Sequence, residues 1–255
     1  MKKLAIFLVA VVLALGMSNI VMAQHTDHMN STWNDGLGIA GSTHDFADGI
    51  SRGDGGTAGE AWNTTGELCR TCHVPHDNGA ATVRYVDGLL WNHDLSAEAS
   101  YELYTSPSFD GTNGGQPSGI SRLCLGCHDG TIALDAFGDY VGGTSGQEMG
   151  TIGLSDFVIP NKLQAGISND LRGTHPLSMD FDPLSTELND AASTMITIPA
   201  GPIAGTTYPL SDVIFDGQVQ CASCHDVHNQ ESAPDSHLLR VDNTGSGLCL
   251  TCHIK

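Results

Sequence analysis

Eight cysteines in 255 residues decide most of what this chain can become, because none stands alone. They fall into Cys69-Arg-Thr-Cys72-His73, Cys124-Leu-Gly-Cys127-His128, Cys221-Ala-Ser-Cys224-His225 and Cys249-Leu-Thr-Cys252-His253. Every cysteine belongs to a C-x-x-C pair, and a histidine follows every pair. With 12 histidines in the chain, four such placements by chance have odds of about 5 × 10⁻⁶, so the spacing is a signal and not an accident of composition.

C-x-x-C-H is the attachment signature of c-type haem. Two thiols three residues apart share one face of a helical turn and reach the two vinyl groups along one porphyrin edge. The adjacent His then swings beneath the ring. Cys69, Cys72, Cys124, Cys127, Cys221, Cys224, Cys249 and Cys252 are thus the attachment residues for four covalently bound haem c groups, and His73, His128, His225 and His253 the proximal iron ligands. Two Cys₄ zinc sites would leave the four following histidines without a purpose. A redox C-x-x-C is usually single and sits in a βαβ context, which this chain lacks.

The other histidines supply second ligands. In chain order His44, the first motif with His76 three residues on, His93 and the second motif are echoed by His175, the third motif with His228 three residues on, His237 and the fourth motif. The chain therefore reads as a first dihaem module over 24–140 and a second over 141–255. A His three residues beyond a proximal His projects from the same side of its own helix, so His76 and His228 are aimed at a neighbouring haem. His44, His93, His175 and His228 are the first four distal candidates, His76 follows closely, and His237 is the weakest. Met29, Met149, Met179 and Met195 are rivals that would raise the potential, discounted because His is plentiful. An iron with both axial positions filled relays electrons and has no place for substrate, which argues for an electron-transfer protein and against an enzyme.

Residues 1–23 read as a secretory signal peptide: Lys2 and Lys3, an apolar run from Leu4 to Gly16, and small residues at Val21-Met22-Ala23. The run is short for spanning a bilayer, and no later segment is long and apolar enough, so the processed chain is expected to be secreted and not membrane-spanning. Its removal takes the formal charge from −19 to −21. Such acidity argues against nucleic-acid partners, which need Lys and Arg for phosphate. Aromatic residues are only 6%, and glycine-rich turns recur at Gly53–Gly59 and Gly111–Gly119. The expected fold is that of a multihaem cytochrome c, loop-rich, with short helices and few short strands wrapped around a row of four haems. A helix over Ala97–Tyr104 and strands over Val213–Gln220 and Met195–Pro199 are the candidate elements outside the motifs. The long segment 129–220 is assigned either to covering haems or to a subunit contact.

Gly41-Ser42-Thr43-His44-Asp45, Leu90-Trp91-Asn92-His93, Leu123 to Gly130, Thr174-His175-Pro176, Val219-Gln220-Cys221 and the C-terminal motif together resemble the doubled-CXXCH multihaem cytochromes, and within them the OmcE-type tetrahaem cytochromes. That resemblance implies a homo-polymer: extracellular or cell-surface filaments that carry electrons to other redox proteins or extracellular acceptors in anaerobic respiration. It also implies that one iron can take a His from the next subunit, for which His25, His28 and His44 are the candidates. A soluble periplasmic tetrahaem shuttle is the alternative, and a multihaem reductase a more distant one.

Overall fold

The computed structural model describes residues 38–39, 42, 44–46, 68–69, 71–73, 90–107, 109, 111–112, 115–132, 134, 136, 169–201, 203–233 and 237–254. All of them belong to one unit, Leu37–Lys255. The expected signal peptide, His25, His28, His76, Met29, Met149 and the module boundary at 140/141 lie outside the described residues.

The longest helix, α1 (Gly119–His128), is started by Pro117-Ser118 and stopped by Gly130 at φ +78. Extended Ser118 precedes it, and the first-turn N–H of Ser121 is satisfied from outside, by Gln220 Oε1 at 3.2 Å. Leu123 and Leu125 bury its inner face. The second helix, α2 (Cys221–Cys224), is a single turn closed by a reciprocal cap between Gln220 and Ser223. The third, α3 (Gly247–Cys252), follows a 3-10 turn, Thr244–Ser246. A side chain at Gly247 would strike the carbonyl of Asp242, whose carboxylate receives the Thr244 N–H and hydroxyl.

Between α1 and α2 the segment 169–220 forms two antiparallel pairs. Strands β2 (Met195–Thr197) and β3 (Thr207–Pro209) pair as Met195↔Pro209, Ile196↔Tyr208 and Thr197↔Thr207, while β1 (Met179–Asp180) pairs with β4 (Gln218–Val219). Phe181, Ile196, Leu210, Val213 and Val219 make a small apolar core, with Leu188, Val241 and Cys252 packed against it. The described part of the segment before the third motif, 169–220, thus carries a small core that reaches the fourth motif through Cys252.

Two expected elements are corrected. Ala97–Tyr104 is not helical: the Tyr101 N–H goes to Gln116 Oε1 at 2.5 Å and the Glu102 N–H to the Asn169 carbonyl at 2.8 Å, so the i−4 carbonyls are passed over. Val213–Gln220 is not one strand. Asp216 and Gly217, at φ +52 and +77, make the two-residue turn that an Asp-Gly pair favours, and Phe215 and Gln218 exchange backbone bonds across it. Met195–Pro199 is extended as expected, with β2 covering its first three residues. Loops with few short helices and strands dominate, as anticipated for a multihaem cytochrome. No helix among the described residues is long and apolar enough to cross a membrane.

Candidate haem-binding site

Three of the four motifs are built alike. In the first, Cys69 to His73 make one turn, closed by His73 N–H to the Cys69 carbonyl at 2.8 Å. In the third and fourth the same bond runs from His225 to Cys221 at 3.0 Å and from His253 to Cys249 at 2.9 Å. Each His then leaves the turn and bridges a passing strand segment: His73 with Trp91, His225 with Leu239, His253 with Leu188. In each, the residue after the bridge donates its N–H to the carbonyl of the second cysteine, Asn92 to Cys72, Arg240 to Cys224 and Asn189 to Cys252, at 2.8–2.9 Å. These clasps fix the turn at the point where it must hold two thiols on one side. The second motif is held differently, inside α1, against Leu90–Asp94. A Cβ on Gly126 would sit 2.6 Å from the Asp94 carbonyl oxygen, so the x-Gly of this C-x-x-C is demanded by close approach.

The motifs neighbour one another in chain order. Cys72 acts electrostatically on Cys124 and Cys127, Cys124 lies beside Cys221, and Cys249 and Cys252 act on Cys224. The helices α1 and α2 are joined by Cys221 N–H to Ser121 Oγ at 3.0 Å and by Ser178 and Gln220 between them. Burial, with the neighbouring Cys69 second, pushes the Cys72 thiol up to about 12; burial, with Cys252 second, pushes Cys224 up to about 11. All eight thiols are free of disulfides. Among the described residues no three or more His, Cys, Asp or Glu gather to hold a bare ion, as a Cys₄ zinc site would require.

Imidazoles meet across long stretches of chain. His128 and His44 have ring centres 6.0 Å apart, His73 and His228 6.3 Å, His253 and His175 6.4 Å. Two imidazoles on opposite sides of one metal, each with a bond of about 2.0 Å and a ring centre about 1.1 Å further out, stand about 6.2 Å apart. All three pairs join a motif His to a non-motif His, and all three fit. The His73–His228 pairing crosses the 140/141 division. Tautomers fit as well: Nδ1 of His93, His175 and His225 meets the carbonyls of Asp94, Pro176 and His237 at 2.8, 2.9 and 3.0 Å, and a carbonyl only accepts. Each ring therefore carries its proton on Nδ1 and keeps the Nε2 lone pair, the arrangement that metal-bound histidines adopt. His44 is driven down to about 4, by burial first and then by His128, His225 and His228, so its ring stays neutral near pH 7. Buried His44 Nδ1, Thr71 Oγ1 and Trp91 Nε1 lack hydrogen-bond partners. All three adjoin a motif: Thr71 lies within the first, Trp91 stands edge-on to His73 at 6.0 Å, and His44 faces His128. Porphyrins in these places fit the three spans, and at the fourth motif the tautomer of His175 as well.

His93 is fully buried, with Nε2 3.5 Å from Cys127 Sγ. His225 has no ring partner among the described residues, and His237 contributes a carbonyl, not an imidazole, beside it. Met179 packs on the apolar core and Met195 lies half-exposed in β2. His44, a candidate for donation to another subunit, stands instead beside His128 of its own chain.

The carboxylates after two of the motif histidines were not singled out from sequence. Asp129 is fully buried and receives the hydroxyls of Ser96, of Tyr101 at 2.6 Å and of Thr131 at 2.7 Å. Burial, and then this bond to Asp129, pushes the Tyr101 phenol well above its ordinary value. Asp226 is nearly as buried. The available signal was their shared place, directly after Cys-His in the second and third motifs only.

Residues 214–255 match the family model described as the doubled CXXCH motif, which spans the third and fourth motifs. No curated protein matches the chain. A doubled CXXCH motif marks the multihaem c-type cytochromes, proteins that bind haem c covalently and transfer electrons.

Proposed function

We propose that the chain binds four haem c groups, one per motif, and serves electron transfer as a subunit of an extracellular filament. The observation that carries the haem reading is the set of three imidazole pairs at 6.0–6.4 Å, each joining a motif His to a distant one. His73 with His228, His128 with His44 and His253 with His175 are the axial pairs it supports. Such a group supplies one-electron iron chemistry when bound. The chain's own residues would tether it through paired cysteines and, at the first, second and fourth motifs, would offer it a second imidazole, which would leave no open position at those three sites. His93, with Nε2 left unprotonated, and His76 remain candidates for the iron of the third motif. His25 and His28 are the candidates for donation between subunits.

The filament reading rests on the resemblance to OmcE-type cytochromes, and the ordered neighbourhood of the four motifs is in keeping with it. The periplasmic shuttle is the alternative. Intact mass of the exported protein counts the haems and locates the signal cleavage. Electron cryo-microscopy of material sheared from the cell surface then separates the two forms. Ordered filaments of hexacoordinate haems support the proposal; dispersed monomers alone overturn the filament in favour of the shuttle, and a five-coordinate haem reopens the enzyme.

A further inference from the structure

His228, three residues beyond the third motif's His225, has its ring centre 6.3 Å from that of His73, and the segment that presents it is a tight turn. The backbone of 226–231 doubles back within six residues, with Asn229 at φ +53, a left-handed conformation that Asn tolerates better than most residues. Such a turn leaves its N–H groups facing inward. Asp226 collects them. Its Oδ1 receives the His228 N–H at 3.1 Å, and its Oδ2 receives those of Gln230 at 2.6 Å and Glu231 at 2.7 Å. Its carbonyl receives the Asn229 N–H at 3.0 Å, and its own N–H goes to the Leu238 carbonyl at 2.8 Å. A carboxylate offers four lone pairs to such a turn, and its charge strengthens each bond.

The turn is braced on both sides. Arg240 donates to Glu231 at 2.7 Å and to the Ala222 carbonyl, within α2, at 2.8 Å. Asn229 and Gly38 exchange two bonds, which ties the approach to His44 to the same turn. Asp129, in the equivalent place after His128, accepts the same i+2 bond, from the Thr131 N–H at 2.9 Å, but no further backbone N–H; its other partners are the hydroxyls of Ser96, Tyr101 and Thr131. The first and fourth motifs carry Val74 and Ile254 there. Only the third motif joins a proximal His, a buried carboxylate and a distal His within four residues.

We infer that Asp226 is a positioning residue for the iron held between His73 and His228: it folds the turn that presents His228, and so links the third attachment site to the first. This inference rests on the axial pairing proposed above. Outer supports of metal ligands are worth roughly 10–100-fold in affinity, and here that factor is the hold of His228 on its iron against a competing ligand.

The test uses the holoprotein, reduced and titrated with carbon monoxide, whose spectrum reports how many haems per chain take it up. His228→Ala is expected to bind one carbon monoxide per chain beyond the wild type. Asp226→Ala should raise the apparent affinity at that one haem roughly 10–100-fold, and Asp226→Ala/His228→Ala should match His228→Ala, with one molecule per chain beyond the wild type. Asp226→Asn, which keeps one acceptor and turns an NH₂ toward the N–H groups, should fall between wild type and Asp226→Ala; it decides the matter where the alanine variant does not accumulate. Wild-type affinity in the Asp226 variants overturns the inference. So does a second molecule per chain beyond the wild type in the double variant, because the carboxylate then acts on the His225 haem, and so does uptake spread over several haems, which is general loosening. Wild-type uptake by His228→Ala is a separate failure, that of the pairing itself.

Discussion

Replacing Gly126 by alanine sets two forces of known sign against each other. Gly126 lies inside α1, where Ala is preferred over Gly by about 1 kcal/mol. On propensity alone the protein should gain stability. The new Cβ would stand 2.6 Å from the Asp94 carbonyl oxygen, roughly 0.8 Å inside an ordinary contact of about 3.4 Å. Neither side yields readily. The Asp94 carbonyl accepts His93 Nδ1–H at 2.8 Å, the Asp94 N–H is held by the Ala136 carbonyl at 2.8 Å, and the Asn92 N–H by Cys72 at 2.9 Å. The helix is held by Leu123 and Leu125, 2% and 1% exposed. Overpacking of this kind costs about 1–3 kcal/mol, so the net expectation is a loss of about 1 kcal/mol or more. At about 2–4 °C per kcal/mol for a domain of this size, Tm should fall by a few degrees. Thermal unfolding of the holoprotein, followed in the far ultraviolet and at the haem absorption, measures it. A rise of similar size would refute the reasoning, because it would mean that α1 and the Leu90–Asp94 segment do not meet there. The haem signal adds a second reading, since a displaced Asp94 carbonyl releases the Nδ1 proton of His93.

Removing His44 should open one haem, that of the second motif, to carbon monoxide; uptake equal to wild type would separate His44 from His128. Tyr101→Phe strips a 2.6 Å bond from the buried Asp129 carboxylate and should cost about 1.5–3 kcal/mol in chemical denaturation, an unchanged midpoint refuting it. The Arg172 guanidinium holds the Asp170 carboxyl down at about 2, below its ordinary 3.8. Its contribution is therefore complete above pH 3.8 and lost as pH falls from 3.8 towards 2. Asp170→Asn should lower Tm at neutral pH and flatten the fall of Tm over that window; parallel Tm–pH curves would dismiss the ion pair. At Gly217, φ +77, a valine should cost about 1–2 kcal/mol because L residues resist the left-handed region, and equal stability would show that the Asp-Gly turn is not strained.

What the sequence determined by itself was local. Two thiols and an imidazole within five residues are brought together by a single turn, so each C-x-x-C-H motif is legible without knowledge of the rest. The Asp216-Gly217 pair is an equally legible turn signal, but the apolar residues on either side of it pass for one strand. Alanines and carboxylates at 97–104 suggested a helix, but propensity is a weak prior where Gln116 and Asn169 supply partners for the same backbone N–H groups. Which distant His faces which motif was decided by tertiary structure alone. His73 meets His228, and His44 meets His128, through turns and clasps whose contacts lie far apart along the chain. The same holds for the demand that Gly126 be glycine and for the use of Asp226. A carboxylate beside a histidine is common in any acidic chain, and it acquires a task only when a folded turn directs three N–H groups at it.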